Sequence, residues 1–254
     1  MIRILRKTLA WVAGTAVAIT LVCAAIIAWP QPLFAYGLSA AGIEVRSDRP
    51  IPAAEGEKFL REVASLLDRS PLKRRAHPYT LYVANDSWRR RLVFLWLSGA
   101  GGVVFYPVSS RHGFLSGADF ARGALVHSSG KVVRAPRTLA YYGAHELTHV
   151  VTGQQLGTVR FHLMPQWARE GFADYVALRD GTRIEELAKV LDGNLAKQDI
   201  WDRYGYYARY RLLVAYLLER EKWPVSRLLQ TRMTYEEART LLRKGLAKSN
   251  ASGP

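Results

Sequence analysis

The 254-residue sequence predicts an α+β fold. Three observations indicate this class. A long apolar segment lies close to the N-terminus, short runs rich in β-branched and aromatic residues occur in the first half, and apolar residues recur at helical spacing from Thr138 onward. We therefore expect an N-terminal transmembrane helix, a small sheet of three or four strands packed on a helix at residues 138–154, and a mainly helical C-terminal half.

The first thirty residues predict a membrane anchor. Arg3, Arg6 and Lys7 precede an apolar stretch at residues 9–29, which would span about 30 Å as a helix and so match the hydrocarbon core of a bilayer. A cleavable signal peptide, the alternative, has a shorter apolar core of about 7–15 residues. Because the basic residues precede the span, we expect a single-pass membrane protein with a cytoplasmic N-terminus and the rest of the chain outside.

Charge and cysteine content limit the possible partners. The single cysteine, Cys23, lies in the apolar span, so the outer domain would depend on its core and not on disulfides. The net charge is +15, and basic residues gather at residues 69–75 and 89–91. A basic domain often binds nucleic acid. A chain facing outward from a membrane meets anionic lipid or cell-wall polymer first, so we expect no specific nucleic-acid partner; solvated loop charge is the plain alternative.

Four stretches follow the anchor. Residues 31–52 contain several Pro and Gly residues and little periodicity, which predicts a linker. Apolar residues recur at helical spacing over residues 55–68, which predicts an amphipathic helix. Residues 78–84 predict a strand that ends in a turn at residues 85–86. Residues 91–97 suit either a strand or a short helix.

Two further stretches precede the central helix. Residues 103–107 predict a strand that ends at Pro107, since proline cannot donate to a ladder of hydrogen bonds. Residues 109–130 are polar and Gly-rich, which predicts a loop, with a short strand candidate at residues 124–127.

Helices dominate the second half. Residues 138–154 form the first, and the next begins at Pro165 and runs to about residue 179. Thr182, with Glu185 three residues later, forms a capping box for a third. The last two predicted helices cover residues 205–222, ended by Pro224, and 235–248. The predicted organisation is an anchor (1–30), a linker (31–52), one domain (53–248) and a disordered tail (249–254).

The segment YYGAHELTHVVT, residues 141–152, contains the pattern H-E-x-x-H. On a helix, His145 and His149 lie on one face, so both rings can point a nitrogen at a single metal ion. Glu146 lies too far round to be a third ligand, but it can take a proton from water that the metal activates. The pattern therefore predicts a zinc hydrolase site; the alternative is a helix with two satisfied histidines on its polar edge.

Residues 165–175 read PQWAREGFADY and place Glu170 and Asp174 one helical turn apart. With the upstream HELTH, this segment resembles the gluzincins, the thermolysin-like clan of zinc metallopeptidases, in which a glutamate within W-x-x-E-G-x-A-x-Y joins the two histidines. The resemblance implies that Glu170 is the third zinc ligand. It also implies that Asp174 accepts the outer N–H of His145 and fixes its tautomer; an aspartate in a plain salt bridge is the alternative. His162, in the intervening loop, is a rival third ligand.

The same resemblance suggests a residue that stabilises the oxyanion of the tetrahedral intermediate. Residues 204–210 read YGYYARY, and aligning Tyr216 on a tyrosine of the aminopeptidase branch selects Tyr207, with Tyr206 as the alternative. The family also binds substrate backbone along an edge strand, for which residues 103–106 are the candidate. No G-x-M-E-N sequence of the aminopeptidase type occurs, which favours an endopeptidase.

The sequence thus predicts a membrane-anchored zinc metallopeptidase that binds Zn²⁺ through His145, His149 and Glu170 and hydrolyses a peptide or protein substrate with Glu146 as general base. The alternative is a non-catalytic protein that binds envelope polymer or lipid through its basic surface and has a structural zinc site. The enzyme is favoured because Glu146 has no evident structural role.

Overall fold

The structure, a computed structural model, describes residues 2–94, 97, 99–127, 129–133, 135–178, 184–192 and 196–251. It has a mixed α+β architecture, which confirms the predicted fold class. Its strands are β1 (Tyr36–Ala40), β2 (Ile43–Ser47), β3 (Tyr79–Val83), β4 (Gly102–Val103), β5 (His112–Leu115), β6 (Ala118–Asp119) and β7 (Ala124–Leu125). Its α-helices are α1 (Ile2–Ala28), α2 (Ala53–Asp68), α3 (Ser87–Phe94), α4 (Leu139–Leu156), α5 (Thr158–Leu163), α6 (Gln166–Ala177), α7 (Ile184–Asp192), α8 (Lys197–Tyr204), α9 (Ala208–Ala215), α10 (Val225–Leu229) and α11 (Tyr235–Ala251).

Five strands form one sheet in the order β1-β2-β3-β5-β4, and β6 pairs with β7 in a separate antiparallel ribbon. The inner strands β2, β3 and β5 are parallel, while β1 and β4 are antiparallel to their neighbours and form the two edges. Side chains of β5 alternate between the faces, with Leu115 toward the core that includes α2 and α4 and Phe114 toward a second cluster on the other face.

The predicted linker was wrong, because residues 36–47 form the hairpin β1–β2 of this sheet. Its turn places Ala41 at φ 51° and Gly42 at φ 73°, a left-handed pair that matches the twist of two antiparallel strands. Ile43, Val45 and Ser47 are buried and alternate with half-buried residues, which is the pattern of a strand between two neighbours. The Gly and Pro residues that suggested a linker lie in the hairpin turn, in β1 and in the segments that flank the hairpin.

The predicted loop at residues 109–130 was wrong where it contains the inner strand β5 and strand β6, whereas β7 confirms the short strand candidate at residues 124–127. All four residues of β5 are buried, so neither face shows the polar alternation that reveals a half-exposed strand. Conversely, the strand predicted at residues 103–107 ends at Val103. Phe105 and Ser109 exchange hydrogen bonds in a tight turn, which takes the chain away from the sheet.

Helix α4 confirms the prediction for residues 138–154. Thr138 caps its N-terminus by accepting a hydrogen bond from the backbone N–H of Tyr141 at 3.1 Å. The helix packs against the sheet, α2 and α6 and is buried from Leu139 to Gly153. Gly143 permits this packing, because a Cβ there would lie 2.8 Å from Val63 and 2.9 Å from Leu81. The helix is therefore the centre of the core.

The other predicted helices are confirmed with changed boundaries. α2, α6 and α11 match predictions, and residues 91–94 belong to the helix α3. The helix predicted at 205–222 consists of α9 and a π-helical turn, Tyr216–Arg220. The capping role of Thr182 lies outside the described residues. The predicted tail is helical as far as Ala251, and residues 252–254 are outside the described part.

The N-terminal helix α1 is attached to the outer face of the sheet at its C-terminal end. Ile27 packs with Phe34, Tyr82 and Phe114, and the carbonyl oxygen of Ile27 lies 2.8 Å from Nε2 of His112. The preceding part of α1 contains a stretch, Lys7–Ala28, that by length and composition could cross a membrane. A signal sequence near the N-terminus can meet the same criteria of length and hydropathy, so membrane anchoring stays a prediction.

Candidate metal centre

Helices α4 and α6 bring three donor side chains together. Nε2 of His145 lies 3.2 Å from Nε2 of His149, and the Oε2 atom of Glu170 lies 3.4 Å and 3.3 Å from these two nitrogens. The two histidines are less than a tenth exposed and the Glu170 side chain is 12% exposed. The convergence of His145 and His149 follows from their i, i+4 spacing, whereas Glu170 depends on how α6 packs on α4.

The donor atoms have the spacing of a tetrahedral metal site. An ion with metal–ligand bonds of about 2.0–2.2 Å separates its tetrahedral ligands by about 3.3–3.6 Å. The three observed separations are 3.2, 3.3 and 3.4 Å, so the donors form a nearly equilateral triangle with two sides within that range and one side just below it. Two imidazole nitrogens and one carboxylate oxygen form a donor set that zinc commonly takes in catalytic sites. The residues present therefore fit a zinc ion.

Charge favours the ligating form of the carboxylate. Burial by itself would raise the pKa of Glu170, but the charge of His149 and hydrogen bonds to both histidines hold that pKa well below its ordinary value. Glu170 is therefore a carboxylate, as a metal ligand must be. Arg169 adds a further positive group, with its Nε 3.3 Å from Oε1 of Glu170, which leaves Oε2 directed at the histidines.

Glu146 lies beside the donor triangle and against the edge strand. A Cβ on Gly102 of β4 would come within 2.5 Å of Oε1 of Glu146, and one on Gly113 of β5 within 3.0 Å of its Cβ. The side chain of Glu146 is buried, and burial raises its pKa to about 8. The charge of His145 lowers this pKa, and the charge of Glu170 raises it. Glu146 belongs to the site but not to the donor triangle.

The predicted partner of Asp174 was wrong. Its Oδ1 accepts a hydrogen bond from the hydroxyl of Tyr141 at 2.5 Å, and its Oδ2 accepts one from Nη1 of Arg211 at 2.9 Å. Nδ1 of His145 is buried without a hydrogen-bond partner among the described residues. Asp174 is completely buried, so it takes the positive charge of Arg211 as its strongest partner, and Tyr141 occupies its other oxygen.

Of the two candidate tyrosines, Tyr207 lies at the site. Its ring stacks on the ring of His145 at 5.6 Å between centroids and 11° between planes. Burial raises the pKa of Tyr207, and the nearby Glu170 and Glu146 raise it further, so its hydroxyl keeps its proton. Tyr206 is 56% exposed and reaches only the edge of the Tyr207 ring.

The rival ligand His162 is not part of the group. Its Nε2 lies 2.9 Å from the carbonyl oxygen of Tyr106, and its side chain is exposed. Within the described residues, the group that could hold a metal consists of His145, His149 and Glu170.

Sequence reasoning missed Arg211 and Tyr141, which hold the buried Asp174. The sequence contained a signal for Arg211, because it immediately precedes the apolar run Leu212–Val214. A single charged residue beside such a run is expected to need a buried partner of opposite charge. Tyr141 precedes His145 by one helical turn, which placed it on the same face.

Comparison of the chain with protein-family models, with curated proteins and with solved structures gave no match. The functional interpretation therefore rests on the residues and geometry of the site.

Proposed function

We propose that the protein is a membrane-anchored zinc-dependent metallopeptidase of the gluzincin type. The observation that carries this proposal is the triangle of donor atoms from His145, His149 and Glu170, with the separate carboxylate of Glu146 beside it. Three convergent donors suit a zinc ion, and an additional carboxylate that is not a ligand suits a general base.

Each residue has a distinct chemical role in the proposal. Zinc held by the three donors would supply a Lewis acid that activates water and polarises the scissile carbonyl group. The charge of a bound zinc ion would offset the burial that raises the pKa of Glu146, so Glu146 is the carboxylate that takes a proton from the attacking water and transfers it to the leaving amine. The protonated hydroxyl of Tyr207 donates a hydrogen bond to the oxygen on which negative charge develops.

The edge strand β4 gives the substrate a place to bind. Within the part of the chain that the structure describes, β4 pairs with β5 along one side, and its Gly102 lies against Glu146. An extended peptide that pairs with the free edge would pass the general base with its backbone fixed by hydrogen bonds. This mode suits an endopeptidase, because it needs neither end of the substrate.

The alternative is a structural zinc site in a protein that binds lipid or envelope polymer. Structural zinc sites usually have four protein ligands, whereas the described residues supply three at this position. The spare carboxylate of Glu146 is also buried in the site at an energetic cost that a purely structural site would not need. Both observations favour the enzyme.

The proposed membrane anchoring is supported by α1. Its long exposed apolar stretch includes Trp11, Leu21 and Val22, all more than half exposed, and requires an apolar environment. The contact between Ile27 and the sheet would hold the domain close to the outer membrane surface.

The test uses the full chain purified in detergent. Wild type, Glu146→Gln and the control Glu57→Gln, which changes a glutamate of α2 with a 44% exposed side chain, are compared for zinc content and for cleavage of a peptide library. We expect one zinc per chain in all three and cleavage by wild type and control only. Wild-type cleavage by Glu146→Gln would overturn the proposed mechanism. A fourth protein ligand and no cleavage by wild type would favour the structural alternative.

A further inference from the structure

Arg137 is a partly buried cation without an acidic partner in the described part of the chain. Its Nη1 lies 3.5 Å from the hydroxyl of Tyr142, a long contact with a neutral group, and its Nε is shielded from solvent without any hydrogen bond. Buried or half-buried guanidinium groups normally pair with carboxylates, because desolvating an unpaired charge is costly. Arg137 therefore has unused capacity to bind an anion.

Tyr142 connects the guanidinium of Arg137 to the segment of α4 that contains Glu146. Tyr142 precedes Glu146 by one turn of α4, which corresponds to a rise of about 6 Å. Consecutive glycines of the edge segment face these two side chains: Gly101 abuts the ring of Tyr142, and Gly102 abuts the carboxylate of Glu146. Arg137 therefore continues the line that runs from Glu146 to Tyr142 along the edge strand.

The aliphatic part of the Arg137 side chain lies near Gly205, in the segment that leads to Tyr207. A Cβ on Gly205 would lie 3.8 Å from Cδ of Arg137, and Gly205 has a φ of 89° that favours glycine. Two residues later, Tyr207 stacks on His145. The segments that flank the donor triangle thus also flank Arg137.

Positive charges lie on the His127 side of Arg137, whereas the carboxylates of Asp174 and Glu146 act on Tyr142. Burial lowers the pKa of His127, and the charges of Arg137, Lys131 and Arg90 lower it further. Arg137 also directly precedes Thr138, the N-cap of α4, so it lies at the positive end of that helix dipole. An anion would be attracted to this position by several groups at once.

We propose that Arg137 binds a carboxylate of the substrate and selects peptides that carry an acidic side chain or a free C-terminus close to the scissile bond. This inference rests on the proposed peptidase function. A guanidinium matches a carboxylate with two parallel hydrogen bonds, which gives both affinity and directional selection. Extended peptide rises about 3.3 Å per residue, and Arg137 lies beyond Tyr142, which is itself about 6 Å along α4 from Glu146, so the selected group lies at least two residues from the bond that is cleaved.

The experiment compares peptides that differ only in their carboxylates. A cleaved peptide is prepared with Glu or Gln at each position within three residues of the scissile bond, and each form has a free or an amidated C-terminus. The ratio of kcat/KM between the charged and neutral members is measured for wild type, Arg137→Gln and the control Lys131→Gln, an exposed residue in the same positive region. The Gln/Glu arm reports an acidic side chain, and the amidation arm reports the C-terminus.

We expect wild type to prefer one charged peptide by about tenfold or more, which is the size of a charge-assisted hydrogen bond. Arg137→Gln should lose this ratio, and Lys131→Gln should keep it. A ratio near one in wild type, or an equal loss for all peptides in Arg137→Gln, would overturn the inference.

A binding measurement separates this inference from the proposed function. Peptide binding to the zinc-loaded Glu146→Gln variant is measured with and without the additional change Arg137→Gln. If the charged peptide binds selectively, this selectivity is lost in Arg137→Gln, and wild type cleaves no peptide, the result would support the carboxylate site and contradict the peptidase function. Equal binding of charged and neutral peptides would contradict the carboxylate site itself.

Discussion

The backbone of Gly102 lies directly against the carboxylate of Glu146, so closely that an added Cβ would come within 2.5 Å of Oε1 and 2.6 Å of Cγ. The edge strand and the proposed general base therefore fix each other's position. Any side chain at Gly102 must displace either the strand or the carboxylate, and both belong to the proposed substrate site.

The first prediction concerns this contact. Gly102→Ala should reduce kcat/KM at least tenfold, because a displacement of about 1 Å at a reacting group is sufficient for a loss of that size. Gly99→Ala is the matched control, since a Cβ at Gly99 meets no atom within 4 Å. Peptide cleavage and zinc content are measured for both variants. Undiminished cleavage by Gly102→Ala would mean that Glu146 does not act in the position observed.

The second prediction concerns metal removal. Zinc in large excess over its dissociation constant should raise the free energy of unfolding by about 4 kcal/mol, which corresponds to a rise in Tm on the order of 10 °C for a domain of this size. A chelator should abolish the rise. Glu170→Gln should weaken the response strongly, and His162→Asn should leave it intact because His162 lies outside the donor triangle. The measurement is thermal unfolding with zinc or chelator; an equal response in wild type and Glu170→Gln would contradict the assigned ligands.

The third prediction concerns the buried pair of Asp174 and Arg211. Asp174→Asn leaves the buried guanidinium without a counter-charge and should destabilise the fold by about 3–5 kcal/mol. The double change Asp174→Asn with Arg211→Met should recover part of this loss, because it removes the unpaired charge. Denaturant unfolding of the two single variants and the double variant measures the coupling energy between Asp174 and Arg211. Strictly additive losses of stability would contradict this coupling.

The Asp174→Asn variant also tests whether Asp174 stabilises the fold or supports zinc binding. Because Asp174 bonds to Tyr141 and Arg211 and not to His145, folded Asp174→Asn should bind zinc with nearly wild-type affinity. Zinc titration under conditions where the variant is folded measures this. A tenfold or larger loss of affinity would restore the role that the family resemblance implied, since partners of ligating histidines typically contribute that much.

The fourth prediction concerns pH and His112. Burial lowers the pKa of His112 below 6.5, against a hydrogen bond to the carbonyl of Ile27, so the folded protein holds this ring neutral. Below pH 6.5 the unfolded chain binds a proton that the folded chain resists, and stability should therefore fall as the pH falls from 6.5 toward the folded pKa. Above pH 6.5 the neutral ring of His112 makes its full contribution to the free energy of unfolding.

The unfolding free energy measured from pH 7.5 to 5 checks this prediction. His112→Gln should show a shallower decline than wild type, because it lacks the titrating group. His162→Asn, which changes an exposed histidine, should follow the wild-type curve. Identical slopes for wild type and His112→Gln would contradict the link between His112 and the end of α1.

Local patterns in the sequence were sufficient to predict the class of the fold, the helices α2, α4, α6 and α11, and the pairing of His145 with His149. These features depend on residues within one or two helical turns, where spacing alone decides which side chains share a face. The approach of Glu170 came from the resemblance to a family, and its distance from the histidines is a property of how α6 packs on α4.

Contacts between distant segments decided the rest. The hairpin β1–β2 was missed because the Gly at its turn made the segment look like a linker. The inner strand β5 was missed because it is buried on both faces, so its sequence does not alternate between polar and apolar residues. Asp174 pairs with Arg211, 37 residues later, because a fully buried carboxylate takes the nearest buried cation, and no local pattern specifies that distance. The sequence determined which residues are able to bind a metal and move a proton; the packing of α4, α6 and the sheet decided which of them meet.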